Sequence, residues 1–316
     1  MKKFFAAASA ALLASALLVS CAEEPKNGLG RDTTPVQNGS TPDTGTVSDD
    51  SSVQGGNAVN EQSASIPVGG YKDLSVPASG GKNQTIRWTS SDESIASVDD
   101  SGRIYGNKAG ECVISADFDG EENGFFIMNV TVSDCTNAQG LTYINGVLVV
   151  NKTYSLPSNY NPGVDDEANA ALQKMFSAAK ADGITLEIVS GFRSYDRQTQ
   201  LYNNYVSRDG VAAADRYSAR AGHSEHQTGL AFDLNSLEES FGETKEGKWL
   251  KEHCHEYGFI IRYPKEKEEI TGYMYEPWHV RYLGEAVAKS VTESGLCLEE
   301  YLNVTSAYRG VEKKGQ

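Results

Sequence analysis

Apolar positions change their rhythm three times along the chain. Residues 4–20 form one uncharged run behind Lys2 and Lys3. A basic start and a short apolar stretch make an export signal, and the run is short for a spanning helix. From 22 to 62 large apolar side chains almost vanish, and Gly, Ser, Thr, Asp, Asn and Pro take over. Such a composition cannot bury enough surface to offset its ordering entropy, so residues 21–62 are expected to be a disordered, flexible tether. Short β-rich runs then appear at 86–89, 95–98, 102–105, 112–116 and 126–132. Turn residues separate them at Ser90-Ser91-Asp92, Asp99-Asp100-Ser101-Gly102 and Asp119-Gly120. Strands this short and this closely spaced predict a small all-β sandwich over 63–134.

From about 140 the two periods mix. Asp165 can cap a helix that carries Leu172, Met175, Phe176 and Ala179 on one face and stops at Gly183. Residues 184–188 alternate as a half-buried strand, and 259–263 form another. Further helices are expected at 195–206, 248–257, 284–293 and 298–302. Helices and strands follow one another without strict alternation, which suits an α+β domain better than a parallel sheet.

Composition narrows the partners. The 316 residues allow about two domains. The net charge of −15 argues against a nucleic-acid partner, which needs a basic surface. The run Leu18-Val19-Ser20-Cys21 resembles the bacterial lipobox. Cys21 is then expected to be the lipidated first residue, anchoring the chain to the membrane outside the cytoplasm. The alternative is an ordinary cut after Ala22. That compartment permits disulfides. Cys112 and Cys135 are candidates for a pair, and Cys254 and Cys297 are packing residues or a second one. No Cys-x-x-Cys pair offers a thiolate zinc site.

The chemistry centres on Ser224-Glu225-His226-Gln227-Thr228-Gly229-Leu230-Ala231-Phe232-Asp233. His226 and Asp233 can both bind a metal, His through nitrogen and Asp through oxygen. Their offset of seven is odd, so one unbroken strand would point them to opposite sides, and Gly229 is the residue able to bend the chain. His279 is the third candidate, giving two imidazoles, one carboxylate and an open position. Glu276, three residues earlier, can move a proton beside the metal. Pro277 pushes Glu276 toward an extended backbone, so a turn through Pro277 and Trp278 is expected to bring Glu276 and His279 together. Trp278 should pack beneath the site. Arg193 stands where a strand hands over to a helix. It can hold a carboxylate, stabilise an oxyanion, or make a surface salt bridge. Gln198 either helps it or belongs to a solvated helix face, and Ser224 either donates to substrate or orients the loop.

Two resemblances cover most of the chain. Trp88-Thr89-Ser90-Ser91-Asp92, Ile95-Ala96-Ser97-Val98-Asp99, Ser101-Gly102 and Ala109-Gly110 resemble the bacterial Ig-like group 2 domain, which implies a spacer or adhesive module. The second rests on four separated motifs: Ser190-Gly191-Phe192-Arg193-Ser194-Tyr195 with Gln198; Gly222 to Asp233; Tyr257 to Pro264; and Glu276-Pro277-Trp278-His279-Val280-Arg281-Tyr282. In order and spacing they resemble the VanY-type D-alanyl-D-alanine carboxypeptidases. That resemblance implies an α+β zinc DD-peptidase fold over 138–308 with a mainly antiparallel sheet. It also implies one Zn2+ on His226, Asp233 and His279, Glu276 as the catalytic carboxylate, and Arg193, Gln198 and Ser224 on the substrate. His223 falls outside the ligand pattern. The implied substrate is a peptidoglycan stem peptide losing its last D-alanine. An LD-carboxypeptidase acting on tetrapeptide stems would have the same metal site, with Tyr273 and Tyr275 as candidates to shape the pocket. A wall-binding or adhesive protein with an inert zinc domain is the third reading, and the intact ligand set with Glu276 argues against it.

Overall fold

The computed structural model describes residues 60–74, 86–118 and 125–308. The export signal, Cys21, the tether up to residue 59 and the Asp119-Gly120 turn lie outside the described residues.

The first unit is a sandwich of β1 (Asn60–Pro67), β2 (Tyr71–Asp73), β3 (Ile86–Ser90), β4 (Ala96–Val98), β5 (Arg103–Gly106), β6 (Gly110–Phe118) and β7 (Phe125–Ser133). One sheet has the order β1-β7-β6-β3 and the other β2-β5-β4. Alternation sorts the faces. Cys112, Ile114 and Ala116 of β6 stand opposite Val130, Met128 and Phe126 of β7, and all six are buried. β1 takes in residues 60–62, which their polar composition assigned to the tether. It pairs in parallel with β7, and that backbone ladder makes these residues a strand. Cys112 is a free thiol buried in this core, so the Cys112–Cys135 pair does not form.

The second unit opens with the hairpin β8 (Tyr143–Ile144) and β9 (Val147–Leu148), then α1 (Asp166–Ala181), β10 (Ile188–Ser190), α2 (Tyr195–Asp209) and α3 (Val211–Tyr217). It continues through β11 (Ala231–Leu234), α4 (Lys245–His253), β12 (Phe259–Tyr263), α5 (Glu268–Thr271), β13 (Glu276–Tyr282), α6 (Glu285–Ser294) and α7 (Leu298–Leu302). Its sheet, β10-β11-β13-β12, is antiparallel throughout. The α+β architecture with an antiparallel sheet is the one expected. Asp165 caps α1 by accepting the N–H of Ala168. Leu172, Met175 and Ala179 of α1, with Leu250 of α4, pack on Phe232, Leu234, Phe259 and Val280. Each large side chain buried there is worth about 1.5–3 kcal/mol. Alternation therefore sends Asp233, His279, Arg281 and Arg262 to the other face, where the site is built.

Two local expectations need correction, and one helix was not anticipated. Ile184 and Leu186 are buried, but ladder pairing begins only at Ile188. Asn235 takes the ladder's place, accepting the Glu187 N–H on its side chain and donating to the carbonyls of Thr185 and Glu187. The expected helix at 248–257 starts earlier, because Thr244 caps Lys245–His253, and its last turn tightens to a 3-10 turn at Cys254–Tyr257. The α3 helix was not anticipated. Cys254 and Cys297 are both free and buried, hence packing residues.

Candidate active site

A short 3-10 turn, Glu225–Thr228, presents His226, and Gly229 follows at φ 76°. A Cβ there would lie 2.1 Å from the Gly163 carbonyl oxygen. The chain thus reverses at Gly229 and enters β11 with Asp233 facing back toward His226. Asp233 stands directly opposite His279 across the β11–β13 ladder. No turn forms through Pro277 and Trp278. Instead β13 is bulged: Ile261 to Tyr263 of β12 spans Val280 to Glu276 of β13, two steps against four. The extra residues re-aim the strand and bring Glu276 Oε2 to 3.6 Å from His279 Nδ1. Trp278 joins both the hydrophobic core and the cleft wall.

His226 Nε2 lies 3.1 Å from Asp233 Oδ2, and His279 Nδ1 lies 3.2 Å from Asp233 Oδ1. One donor atom from each residue falls within 4.8 Å of the others. Two donors bound tetrahedrally at zinc-like bond lengths stand about 3.4 Å apart, so the spacing fits a metal. Two further observations support the fit. Asp233 Oδ1 is buried without a hydrogen-bond partner. His226 Nδ1 is 2.8 Å from the Gly191 carbonyl, which fixes its proton there and leaves Nε2 free to ligate.

The second layer was missed in the sequence. Glu225 is wholly buried, and its Oε2 lies 3.4 Å from His279 Nε2. This favours the proton on Nε2 and leaves Nδ1 for the metal. Its Oε1 accepts from Arg262 Nε at 2.7 Å and Arg281 Nη1 at 3.0 Å. Arg262 also grips Glu299 with both terminal nitrogens, at 2.8 and 2.5 Å. Burial alone would raise the Glu225 carboxyl, but the two arginines outweigh it and hold the group well below the usual range. The available signal was a charged residue inside the apolar run Phe259-Ile260-Ile261-Arg262-Tyr263, which needs a buried partner.

Burial pushes Glu276 up to about 8, helped by Asp233 and Glu225 against the pull of His279 and Arg193. Burial works against protonation of His279, yet the carboxylates of Asp233 and Glu225 beside it carry it to about 9 in the metal-free protein. Arg193 is no surface residue. It donates to Ser190 Oγ at 2.7 Å and Gln198 Oε1 at 2.9 Å, with Nη2 3.8 Å from Asp233 Oδ2. Gln198 sits behind Arg193 rather than in the cleft, its amide bound to the Ala219 carbonyl at 2.6 Å. Ser224 lines the cleft and caps nothing. Tyr273 lines it too, while Tyr275 packs against Gly242. His223 faces the Asn151 carbonyl at 2.8 Å. The cleft encloses about 400 Å³ and runs from the His–Asp group between Tyr205, Tyr217 and Leu237 to solvent.

The chain is similar to known proteins along both of its units. The family model for D-alanyl-D-alanine carboxypeptidase (VanY) matches residues 161–285, and that for the bacterial Ig-like domain (group 2) matches 55–120. The chain is 42% identical over 210 residues to the Bacillus subtilis protein YodJ, named as a carboxypeptidase, covering 57% of this chain and 77% of that one. It is 36% identical over 175 residues to a D-alanyl-D-alanine carboxypeptidase of Enterococcus faecalis, covering 50% and 65%. The structure of an L,D-carboxypeptidase, DacB from Streptococcus pneumoniae, superposes with a TM-score of 0.50 at 46% identity, covering 55% and 97%.

Proposed function

This chain belongs to the VanY family of D-alanyl-D-alanine carboxypeptidases, and from that premise we propose that it is a zinc-dependent peptidase removing the terminal D-alanine of peptidoglycan stem peptides. The observation that carries the reading is the Asp233 carboxylate between two buried imidazoles, its Oδ1 without a hydrogen bond, beside a buried carboxylate and a guanidinium. His226, Asp233 and His279 would hold the ion. Zinc, when bound, supplies Lewis-acid polarisation of a carbonyl and lowers the pKa of nearby water. Glu276 takes the proton of the attacking water and returns it to the nitrogen of the departing D-alanine. Arg193, held by Ser190 and Gln198, offers its remaining N–H groups to the substrate's terminal carboxylate or to the oxyanion. Ser224 adds a hydroxyl on the cleft wall.

Cleavage of tetrapeptide stems is the second reading, favoured by the 46% identity to an L,D-carboxypeptidase. Measuring D-alanine release from penta- and tetrapeptide stems decides between them. Glu276→Gln should keep zinc and lose turnover, and His226→Ala should lose both. Zinc-loaded wild type that releases D-alanine from neither stem would end the carboxypeptidase reading. The lipobox supports a lipid anchor at Cys21, outside the cytoplasm; fatty-acid labelling that persists in Cys21→Ala would refute it.

A further inference from the structure

The carboxypeptidase unit carries a docking surface that the turn after β1 fills. Tyr154 Oη donates to the Val68 carbonyl at 2.9 Å. Thr305 donates twice to the Gly69 carbonyl, from its N–H at 2.9 Å and its hydroxyl at 2.7 Å. The Tyr71 N–H reaches the Asn303 carbonyl at 2.8 Å, and Gly70 forms an antiparallel bridge with Val304. Gly69 has φ +84°, and a Cβ on it would lie 2.8 Å from Thr153 Cγ2 and 2.9 Å from Tyr154 Oη. A Cβ on Gly70 would lie 2.6 Å from Pro67 Cγ and 3.0 Å from the Asn303 carbonyl oxygen. The close approach of the carboxypeptidase unit crowds Gly69, while Gly70 is crowded by Pro67 of its own unit as well as by the Asn303 carbonyl.

The contacts continue from this surface to the cleft. Thr305 Oγ1 is 3.0 Å from Thr153 Oγ1, and Ser306 Oγ donates to the Thr271 carbonyl at 2.6 Å. Tyr308 Oη accepts the Arg220 N–H at 2.9 Å, and the Arg220 guanidinium lies 4.0 Å over the Tyr308 ring. Lys152, beside the dock, is buried against the Tyr273 ring at 4.6 Å and donates to the carbonyls of Asp215 and Gly272. Arg220 directly follows the cleft residues Ser218 and Ala219, and Thr271 precedes the cleft residues Tyr273 and Met274. Residues 303–308 are thus a strap joining the Ig-like unit to two walls of the cleft.

We propose that the Ig-like domain, seated on Tyr154 and Asn303 to Thr305, positions those two walls through the strap and so sets affinity for the stem peptide. Its partner is the chain's own carboxypeptidase domain, and Tyr308 is a positioning residue. The effect on affinity rests on the carboxypeptidase reading; the mechanical link does not. The metal group and Glu276 lie outside the strap, so its release should act on KM and spare kcat.

The test uses the full chain with Gly70→Leu, which unseats the dock, and Tyr308→Phe, which keeps the ring and removes the acceptor for Arg220. Gly70→Leu should enlarge the radius of gyration in X-ray scattering while zinc stays at one per chain. The amides of Arg220 and of residues 271–274 should exchange hydrogen faster, and KM should rise about two- to thirtyfold with kcat nearly constant. Tyr308→Phe should speed Arg220 exchange and raise KM without moving the domain. It decides the matter alone if Gly70→Leu stays docked. An unseated domain with unchanged exchange and KM overturns the proposal. So does loss of retention on insoluble peptidoglycan with an unchanged KM for soluble stems, which would make the domain a wall-binding module. If wild type releases no D-alanine, the exchange arm still judges the strap and only the functional reading fails.

Discussion

Glu225→Gln removes one buried charge and leaves the side chain's shape intact. In the wild type, Glu225 Oε1 neutralises Arg262 and Arg281 together, and Oε2 faces His279 Nε2. After the substitution Arg262 keeps its two-pronged grip on Glu299. Arg281 keeps only carbonyl partners, those of Leu148 at 2.8 Å and Tyr282 at 3.1 Å. One wholly buried guanidinium is left without a counter-charge, which costs about 3–5 kcal/mol. For a unit of this size each kcal/mol shifts Tm by about 2–4 °C, so the expected fall is roughly 6–20 °C. Losing the partner on His279 should also weaken zinc binding about 10- to 100-fold. Thermal melts of metal-free and zinc-loaded protein, followed by circular dichroism, give the first quantity. Competition against a chelator gives the second. A metal-free Tm within about 2 °C of wild type, a shift expected of less than 1 kcal/mol, together with unchanged zinc affinity, would show that the network neither stabilises the fold nor orients His279.

Three further outcomes are expected. Glu276 has a folded pKa near 8 against an ordinary 4.5, so the metal-free fold binds an extra proton between those values. Its Tm should therefore fall as pH rises from 5 to 8, and Glu276→Gln should flatten that slope; identical slopes would refute the shift. Gly229→Ala forces a Cβ onto the Gly163 carbonyl at positive φ. It should destabilise by more than about 1 kcal/mol and lower zinc content, whereas wild-type melting and full zinc occupancy would deny the tight turn its role. Arg193→Lys cannot reproduce the fork that meets Ser190 and Gln198 while still facing the cleft. It should lose about 100-fold in kcat/KM with zinc retained, and a loss under about threefold would remove Arg193 from substrate or oxyanion binding.

Most of what the sequence determined by itself is local. The Asp165 cap, the Leu172–Met175–Ala179 stripe and the stop at Gly183 define α1, because capping and helical period act within a few turns. The bend at Gly229 was legible for the same reason: an odd offset between two potential ligands needs a residue able to adopt positive φ. The motif set carried the family. Tertiary structure decided what depends on partners distant along the chain. Glu276 and His279 share a side because β13 bulges against β12, a property of the pair of strands that neither sequence displays. Glu225 meets Arg262 and Arg281, and Arg262 meets Glu299, only when four segments close on one buried point. Gln198 lies behind Arg193, not beside it in the cleft, because α2 turns its amide toward Ala219. Asn60 to Gln62 look like tether by composition, yet they form a strand because β7 offers them a free edge. Residue chemistry and short-range spacing are encoded locally; the side a residue faces across a ladder, and the counter-charge it finds, exist only once the chain has packed.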